Sequence, residues 1–160
     1  MRILGIDPGL LVTGFGLIEA NGAKLQAVDF GVLPSPSSRP LRLKEIFEGI
    51  KGLIEAQRPE ELVVEGVFLQ RSVKFTLSIG EVRGIIGLAA VLSGIPLTEY
   101  SPRQIKQAVV GYGGASKSQV QFMVKNLLGL KEIPQPDHAA DALAAAICHT
   151  HSFSLQAGER

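Results

Sequence analysis

Apolar and polar positions split this chain into short strand-like runs at its start and helix-like runs later on. Arg2–Asp7 is a short apolar run that ends in the turn sequence Asp7-Pro8-Gly9. Thr13–Ala20 follows as a strand, with Gly14 and Gly16 inside it as marks of a bulge or of close backbone approach. Asn21-Gly22 is a hairpin signal, which makes Lys24–Leu33 a third strand antiparallel to the second. A Pro/Ser loop follows over Pro34–Pro40. Leu41–Gln57 changes period: Leu43, Ile46, Phe47, Ile50 and Ile54 fall on one helical face, and Arg58-Pro59 ends it. Glu61–Glu65 reads as a buried strand and Ser72–Leu92 as a long helix with glycines at 80, 84 and 87. Ile95–Tyr100 is a strand and Pro102–Val110 a short helix. Ser116 caps a helix that runs to about Leu128 with Gly129 as its stop. Pro134-Gln-Pro136 breaks the chain before an Ala-rich helix, Asp137–His149, and the stretch after His151 reads as a loose tail. Hairpins first, then strands alternating with helices, give a mixed α/β sheet.

Length and composition bound the class. The 160 residues fit one domain, with 46% hydrophobic and 19% charged residues, which excludes a disordered chain. One cysteine, Cys148, excludes an internal disulfide and a Cys-rich zinc site, and fits a reducing compartment. Asp7 cuts the first apolar run too early for a signal peptide, and the uncharged stretch Gly84–Thr98 is shorter than the roughly 18 residues of a membrane span. The expectation is a soluble cytoplasmic domain without membrane association.

Charge is uneven. Residues 1–65 carry −2, residues 66–131 carry +6 and residues 132–160 carry −3, around a net +1. A basic middle between acidic ends fits a phosphate-binding surface with carboxylates gathered elsewhere, although it also suits an ordinary solvated face.

Three acidic residues stand where a core would exclude them. Asp7 ends the first strand, Glu65 ends the fourth after Leu62-Val63-Val64, and Asp141 lies inside the apolar helix Ala139–Ala144. In an open α/β sheet the first and fourth strands are common neighbours, which would place Asp7 beside Glu65, with the last helix bringing Asp141. Converging carboxylates repel unless a hard divalent cation joins them. Two such ions about 3.5–4 Å apart suit phosphodiester hydrolysis. Each residue also has a bland reading: Asp-Pro-Gly is an ordinary turn, Glu65 can close a strand, and Asp141 can face solvent. On the last helix Asp137 lies about 40° to one side of Asp141 and His138 about 60° to the other, so both can share its site. Asp137 also suits the first helical turn, where the macrodipole favours an anion.

The motifs Ile3-Leu-Gly-Ile-Asp-Pro-Gly9, Thr13-Gly-Phe-Gly16, Val63-Val-Glu-Gly-Val-Phe68, Arg103-Gln-Ile-Lys106-Gln, Gly111–Val120 and Asp137-His-Ala-Ala-Asp-Ala-Leu-Ala144 stand in order along nearly the whole chain. Together they resemble the RuvC family of Holliday-junction resolvases. The resemblance implies a ribonuclease-H-like α/β fold with a mixed five-stranded sheet in the order 3-2-1-4-5 and helices on both faces. It implies one nuclease domain over residues 1–151, with a flexible tail at 152–160. It implies a homodimer that binds four-way junction DNA, nicks two strands symmetrically with two Mg²⁺ ions per subunit, and works with the RuvA–RuvB branch-migration complex. The family's acidic-site positions fall on Asp7, Glu65, His138 and Asp141. An imidazole at 138 is softer than a carboxylate, which favours Mn²⁺ activity. Phe68 matches an aromatic that contacts bases at the crossover. Lys106 and Lys117 match lysines near the backbone, with Lys117 placed to assist catalysis. Arg71, Lys74 and Arg103 are further DNA-contact candidates. Leu10-Leu11 departs from the polar or basic pair of many relatives.

Other readings compete. Gly111–Ser118 nearly spells an ATP-binding phosphate loop, but Ser116 replaces its second glycine and a helix precedes it instead of a strand. Gly5-Ile-Asp7-Pro-Gly9 also resembles the phosphate turn of actin-like sugar kinases, which need a second domain. A YqgF-like nuclease of the same fold and a non-catalytic junction-binding scaffold are the nearer rivals. Cys148, His149 and His151 read as a helix end or, less simply, a soft metal site. The apolar helix Ser78–Leu92 is the candidate dimer interface, with Ile85 and Leu88 as its probes.

Overall fold

The hairpin that opens the chain forms where glycine permits it. Gly22 takes φ 61° in a two-residue loop closed by the Asn21–Lys24 pair, so Asn21 itself belongs to a strand. The computed structural model describes residues 1–9, 11–33, 38–66 and 73–157. The elements are β1 (Arg2–Asp7), β2 (Thr13–Asn21), β3 (Lys24–Leu33), α1 (Arg39–Gln57), β4 (Glu61–Glu65), α2 (Val73–Ser93), β5 (Leu97–Tyr100), α3 (Pro102–Val110), α4 (Lys117–Leu127) and α5 (Asp137–Ala157). The five strands form one sheet in the order β3-β2-β1-β4-β5. β1 and β2, like β2 and β3, are antiparallel; β4 runs parallel to both β1 and β5. This is the expected mixed sheet and strand order.

Side chains alternate across a strand, and the core divides accordingly. Leu4, Ile6, Leu17, Leu62 and Val64 pack with α1 and α2 on one face. Ile3, Ile18 and Val63 pack with α3, α4 and α5 on the other. The bulge between Leu17 and Ile18 shifts the β2–β3 register. Both faces are therefore covered by helices, and both clusters hold fully buried side chains.

Three expectations change. The last helix does not stop at His149 but continues to Ala157, so the expected loose tail at 152–160 is helical through its first part. Cys148, His149 and His151 therefore do not mark a helix end. α2 is long and apolar enough to cross a membrane by length and composition alone, which the uncharged-stretch count did not reveal. One of its faces joins the core through Val82, Ile86, Ala89 and Ala90, while Val73, Leu77, Leu88, Val91 and Leu92 are exposed. Ile85, expected on the outer face with Leu88, packs against the core instead.

Candidate active site

Strand parity aims the two strand-end carboxylates at the same helix. Asp7 shares its side of β1 with Ile3 and Gly5, and Glu65 shares its side of β4 with Val63. That side faces α5. Ile6 pairs with Val64 across the parallel ladder, so Asp7 and Glu65 are the next rung along. Glycine and alanine let α5 lie close. A Cβ on Gly5 would stand 2.0 Å from the Ala142 carbonyl oxygen, and one on Gly16 would stand 2.7 Å from Leu143. Ala139, Ala140, Ala142, Ala144, Ala145 and Ala146 are all buried in the α5 contact. This packing brings the first turns of α5, with Asp137, His138 and Asp141, to the carboxyl ends of β1 and β4.

Asp7 and His138 meet directly: His138 Nδ1 lies 2.7 Å from Asp7 Oδ2. Burial pushes the Asp7 carboxyl upward; the His138 hydrogen bond opposes the rise and the Asp141 charge adds to it. Glu65 is pushed up to about 7 by burial and by the charges of Asp7 and Asp141, against the pull of Lys106 and Lys117. Carboxylates are thus gathered where their own charges disfavour one another.

Lys117 is the local counter-charge. Ser116 and Gln119 form a reciprocal capping box that starts α4 at Lys117. Lys117 Nζ lies 3.2 Å from Asp141 Oδ2 and 3.2 Å from Asp137 Oδ2. Burial works against its ammonium, but the two carboxylates outweigh that and raise its pKa. Asp137 also accepts from Gln121 Nε2 at 3.0 Å. The Lys117 and Gln121 bonds, with the lysine's charge, hold its carboxyl below the usual range. The Asp137–Lys117–Gln121 set escaped the sequence reading, although Asp137 and Asp141 at i, i+4 were a visible signal for a cation between them.

Other candidates fare differently. Lys106 is half-buried on α3, near enough for its charge to act on Glu65. Arg103 is exposed and its stem lies against Gly113, where a Cβ would stand 2.8 Å from Arg103 Cγ. Lys74 is exposed at the start of α2. Phe68, Arg71 and Leu10 lie outside the described residues; Leu11 is exposed. Gly111 ends α3 with φ 84°, so a helix and not a strand precedes the glycine-rich loop, against an ATP site. The soft metal site also fails: burial pushes the Cys148 thiol up to about 11, and His151 Nδ1 is engaged by the Ala108 carbonyl at 2.8 Å. A cavity of about 550 Å³ lined by Tyr100, Arg103, Gln104, Cys148 and His151 includes none of the four acidic-site residues in its wall.

The donor chemistry of Asp7, Glu65, Asp141 and His138 suits a hard divalent cation with one borderline nitrogen ligand. The fit lies in donors and electrostatics, not in a preformed cage. Among the described residues no group of three His, Cys, Asp or Glu side chains is arranged to hold an ion as it stands.

Comparison with known proteins bears on this arrangement. The sequence pattern of the family described as "Crossover junction endodeoxyribonuclease RuvC" matches residues 3–149. A protein of that description from Brevibacillus brevis is 50% identical over 151 residues, covering 93% of this chain and 91% of its own. One from Syntrophomonas wolfei is 46% identical over 157 residues, covering 97% of this chain and 91% of its own. Among solved structures, Thermus thermophilus RuvC in complex with Holliday junction substrate superposes with a TM-score of 0.92 at 33% identity, covering 98% of this chain and 96% of that one.

Proposed function

The chain belongs to the RuvC family of crossover junction endodeoxyribonucleases, and from that premise we propose that it resolves four-way DNA junctions by paired, symmetric nicks in recombination and repair. The observation that supports this most is the meeting of Asp7, Glu65 and Asp141 at one end of the sheet. Glu65, pushed up to about 7 by burial and, beyond that, by the charges of Asp7 and Asp141, carries the electrostatic mark of that meeting.

Asp7, Glu65, Asp141 and His138 would hold the metal, two Mg²⁺ ions per subunit. Bound there, the metal supplies an activated water and charge neutralisation at the scissile phosphate. Mn²⁺ is the expected substitute. The reaction is hydrolysis: a water oxygen bonds to phosphorus as the P–O3′ bond breaks, leaving a 5′-phosphate and a 3′-hydroxyl. Within the chain, His138 orients the Asp7 carboxylate through its 2.7 Å contact. Lys117 Nζ stands beside Asp141 and offers positive charge to the phosphate oxygens. Lys106 adds a second positive charge on the Glu65 side. Arg103, Lys74, Arg71 and Phe68 are the candidates for holding the junction arms and crossover bases.

A junction of approximate two-fold symmetry asks for two sites in fixed relation, which a two-fold dimer supplies. The exposed apolar residues of α2, Val73 and Leu77 toward its start and Leu88, Val91 and Leu92 toward its end, are the face we assign to it. Pairing through that face would account for the apolar character of α2 on its outer side. The family relationship supports a cytoplasmic place of action and cooperation with RuvA–RuvB.

The test is cleavage of a synthetic mobile four-way junction in Mg²⁺ by wild type and by Asp7→Asn, at concentrations where both bind. Paired symmetric nicks by wild type, reduced at least about 100-fold in Asp7→Asn, are expected. Junction binding without cleavage in Mg²⁺ or Mn²⁺ would favour a junction-binding scaffold instead. Cleavage that ignores the four-way structure would favour a YqgF-like nuclease.

A further inference from the structure

Asp137 has no place among the four metal-site residues, yet both its carboxylate oxygens are engaged. Oδ1 accepts from Gln121 Nε2 at 3.0 Å, and Oδ2 lies 3.2 Å from Lys117 Nζ. The partners come from two helices in matched spacing. Lys117 and Gln121 stand i, i+4 on α4, and Asp137 and Asp141 stand i, i+4 on α5.

We propose that Asp137 is a positioning residue: braced by Gln121, it anchors the Lys117 ammonium beside Asp141 so that the positive charge stays aimed at the scissile phosphate. The proposal rests on the resolvase reading. A half-exposed lysine paired with one carboxylate gains little from the contact and samples many rotamers. Two carboxylates on one helix face bracket it. The two are not equivalent. Asp141 is 26% exposed and belongs to the metal-holding set, so Lys117 must share it with a cation. Asp137 is 52% exposed, on the outer side, and its oxygens are given to Lys117 and Gln121. It holds the ammonium in place whichever partner claims Asp141. The capping box at Ser116 and Gln119 fixes the other end of the lever by fixing where α4 begins.

The experiment compares wild type, Asp137→Asn, Lys117→Met and the double variant as full-length proteins. Three quantities are read: the single-turnover rate on a synthetic mobile junction at saturating Mg²⁺, the junction Kd in Ca²⁺, and the ¹⁵N NMR signal of the Lys117 ammonium in metal-free protein. Asp137→Asn is expected to slow cleavage about tenfold, the scale typical of outer residues that orient an inner group, with junction Kd within about twofold. Added to Lys117→Met it should change the rate by less than about twofold, because a residue that acts only through Lys117 has nothing left to act on. The Lys117 ammonium signal should broaden or vanish in Asp137→Asn, and Gln121→Leu should give a weaker version of both effects.

Any of three results overturns the proposal. These are an undiminished cleavage rate in Asp137→Asn, an equal loss when it is added to Lys117→Met, or a rate restored by raising Mg²⁺, which would make Asp137 a direct ligand. Wild type that does not cleave the junction at all would defeat the resolvase reading separately. The ammonium signal would then decide alone, and a signal unchanged by Asp137→Asn would overturn the anchor.

Discussion

The backbone of Gly14 lies directly beneath the backbone of His138: a Cβ on Gly14 would stand 2.1 Å from the His138 carbonyl oxygen. Gly14 pairs with Asp7 across β1 and β2, so this contact fixes the height of α5 above the strand that carries Asp7. The offending atoms are backbone, which cannot rotate away. Gly14→Ala should therefore lift α5 and cost roughly 1–3 kcal/mol. At roughly 2–4 °C per kcal/mol for a chain this size, a fall in Tm of about 2–12 °C is expected in thermal denaturation. Gly52→Ala is the opposite case. Gly52 sits in α1 with nothing within 4 Å of its would-be Cβ, so alanine should stabilise by about 0.5–1 kcal/mol. Equal effects from the two substitutions would show that α5 does not depend on this approach.

That dependence explains what could be read from residues alone. Asp7 and Glu65 were legible because each ends a short apolar run, where strand parity and a parallel β1–β4 ladder leave them little choice of direction. Asp141 was legible because the alanines around it must be buried. Gly14 and Gly16 announced a close approach, which α5 makes. The Lys117–Asp137 contact was not legible in the same way, since it depends on how α4 packs against α5, and no local pattern encodes that. Nor did the sequence separate Ile85 from Leu88. α2 is apolar nearly all round, so its hydrophobic periodicity does not say which face meets the core. The end of α5 was misplaced because Ser, His and Thr are weak helix formers, and tertiary packing overrides that preference.

Acid stability should carry the signature of His149. The residue is 3% exposed. Tyr100 Oη lies 3.1 Å from its Nδ1, and the Glu61 carboxylate lies 3.9 Å from its Nε2. Burial holds its pKa below the usual histidine value of about 6.5 despite the carboxylate. The unfolded chain therefore takes up a proton that the folded chain resists. The contribution to stability is complete above about pH 6.5 and is lost as pH falls from there toward the folded value. Denaturant midpoints measured from pH 8 to pH 5 should fall below pH 6.5 in wild type. His149→Gln lowers the midpoint throughout but should flatten that limb. Parallel curves would remove His149 as the cause.

The α2 surface makes a separate prediction about assembly. Leu88 is 48% exposed and Val91 is 77% exposed, with Leu92 exposed beside them and Leu77 about three turns earlier on the helix. If the chain pairs through this face as proposed, it should sediment as a dimer at micromolar concentration and Leu88→Glu or Val91→Glu should make it monomeric, because a charge buried in an apolar contact is strongly disfavoured. Thermal stability of the subunit should change little. Ile85→Glu would be the wrong probe, since Ile85 is partly buried against the core and a charge there would lower the stability of the subunit itself. A dimer that survives both outer substitutions would move the interface elsewhere.

His138 should set which metal serves the enzyme best. Its imidazole is 42% exposed at the site and is turned so that Nδ1 meets Asp7, leaving Nε2 as the other nitrogen available to a ligand. Nitrogen donors raise affinity for Mn²⁺ relative to Mg²⁺, whose preference for oxygen is stronger. A carboxylate at the same position would restore an all-oxygen set and add a negative charge. Wild type should therefore cleave a four-way junction faster in Mn²⁺ than in Mg²⁺ at each metal's optimum. His138→Asp should reverse or abolish that order while retaining activity, since the aspartate can still ligate. His138→Ala should lose activity in both metals, because it removes the donor and the Asp7 contact together. The ratio of the Mn²⁺ to the Mg²⁺ rate is the decisive quantity, because a general loss of folding lowers both rates and leaves their ratio unmoved. An unchanged ratio in His138→Asp would mean that the imidazole orients Asp7 without touching the metal.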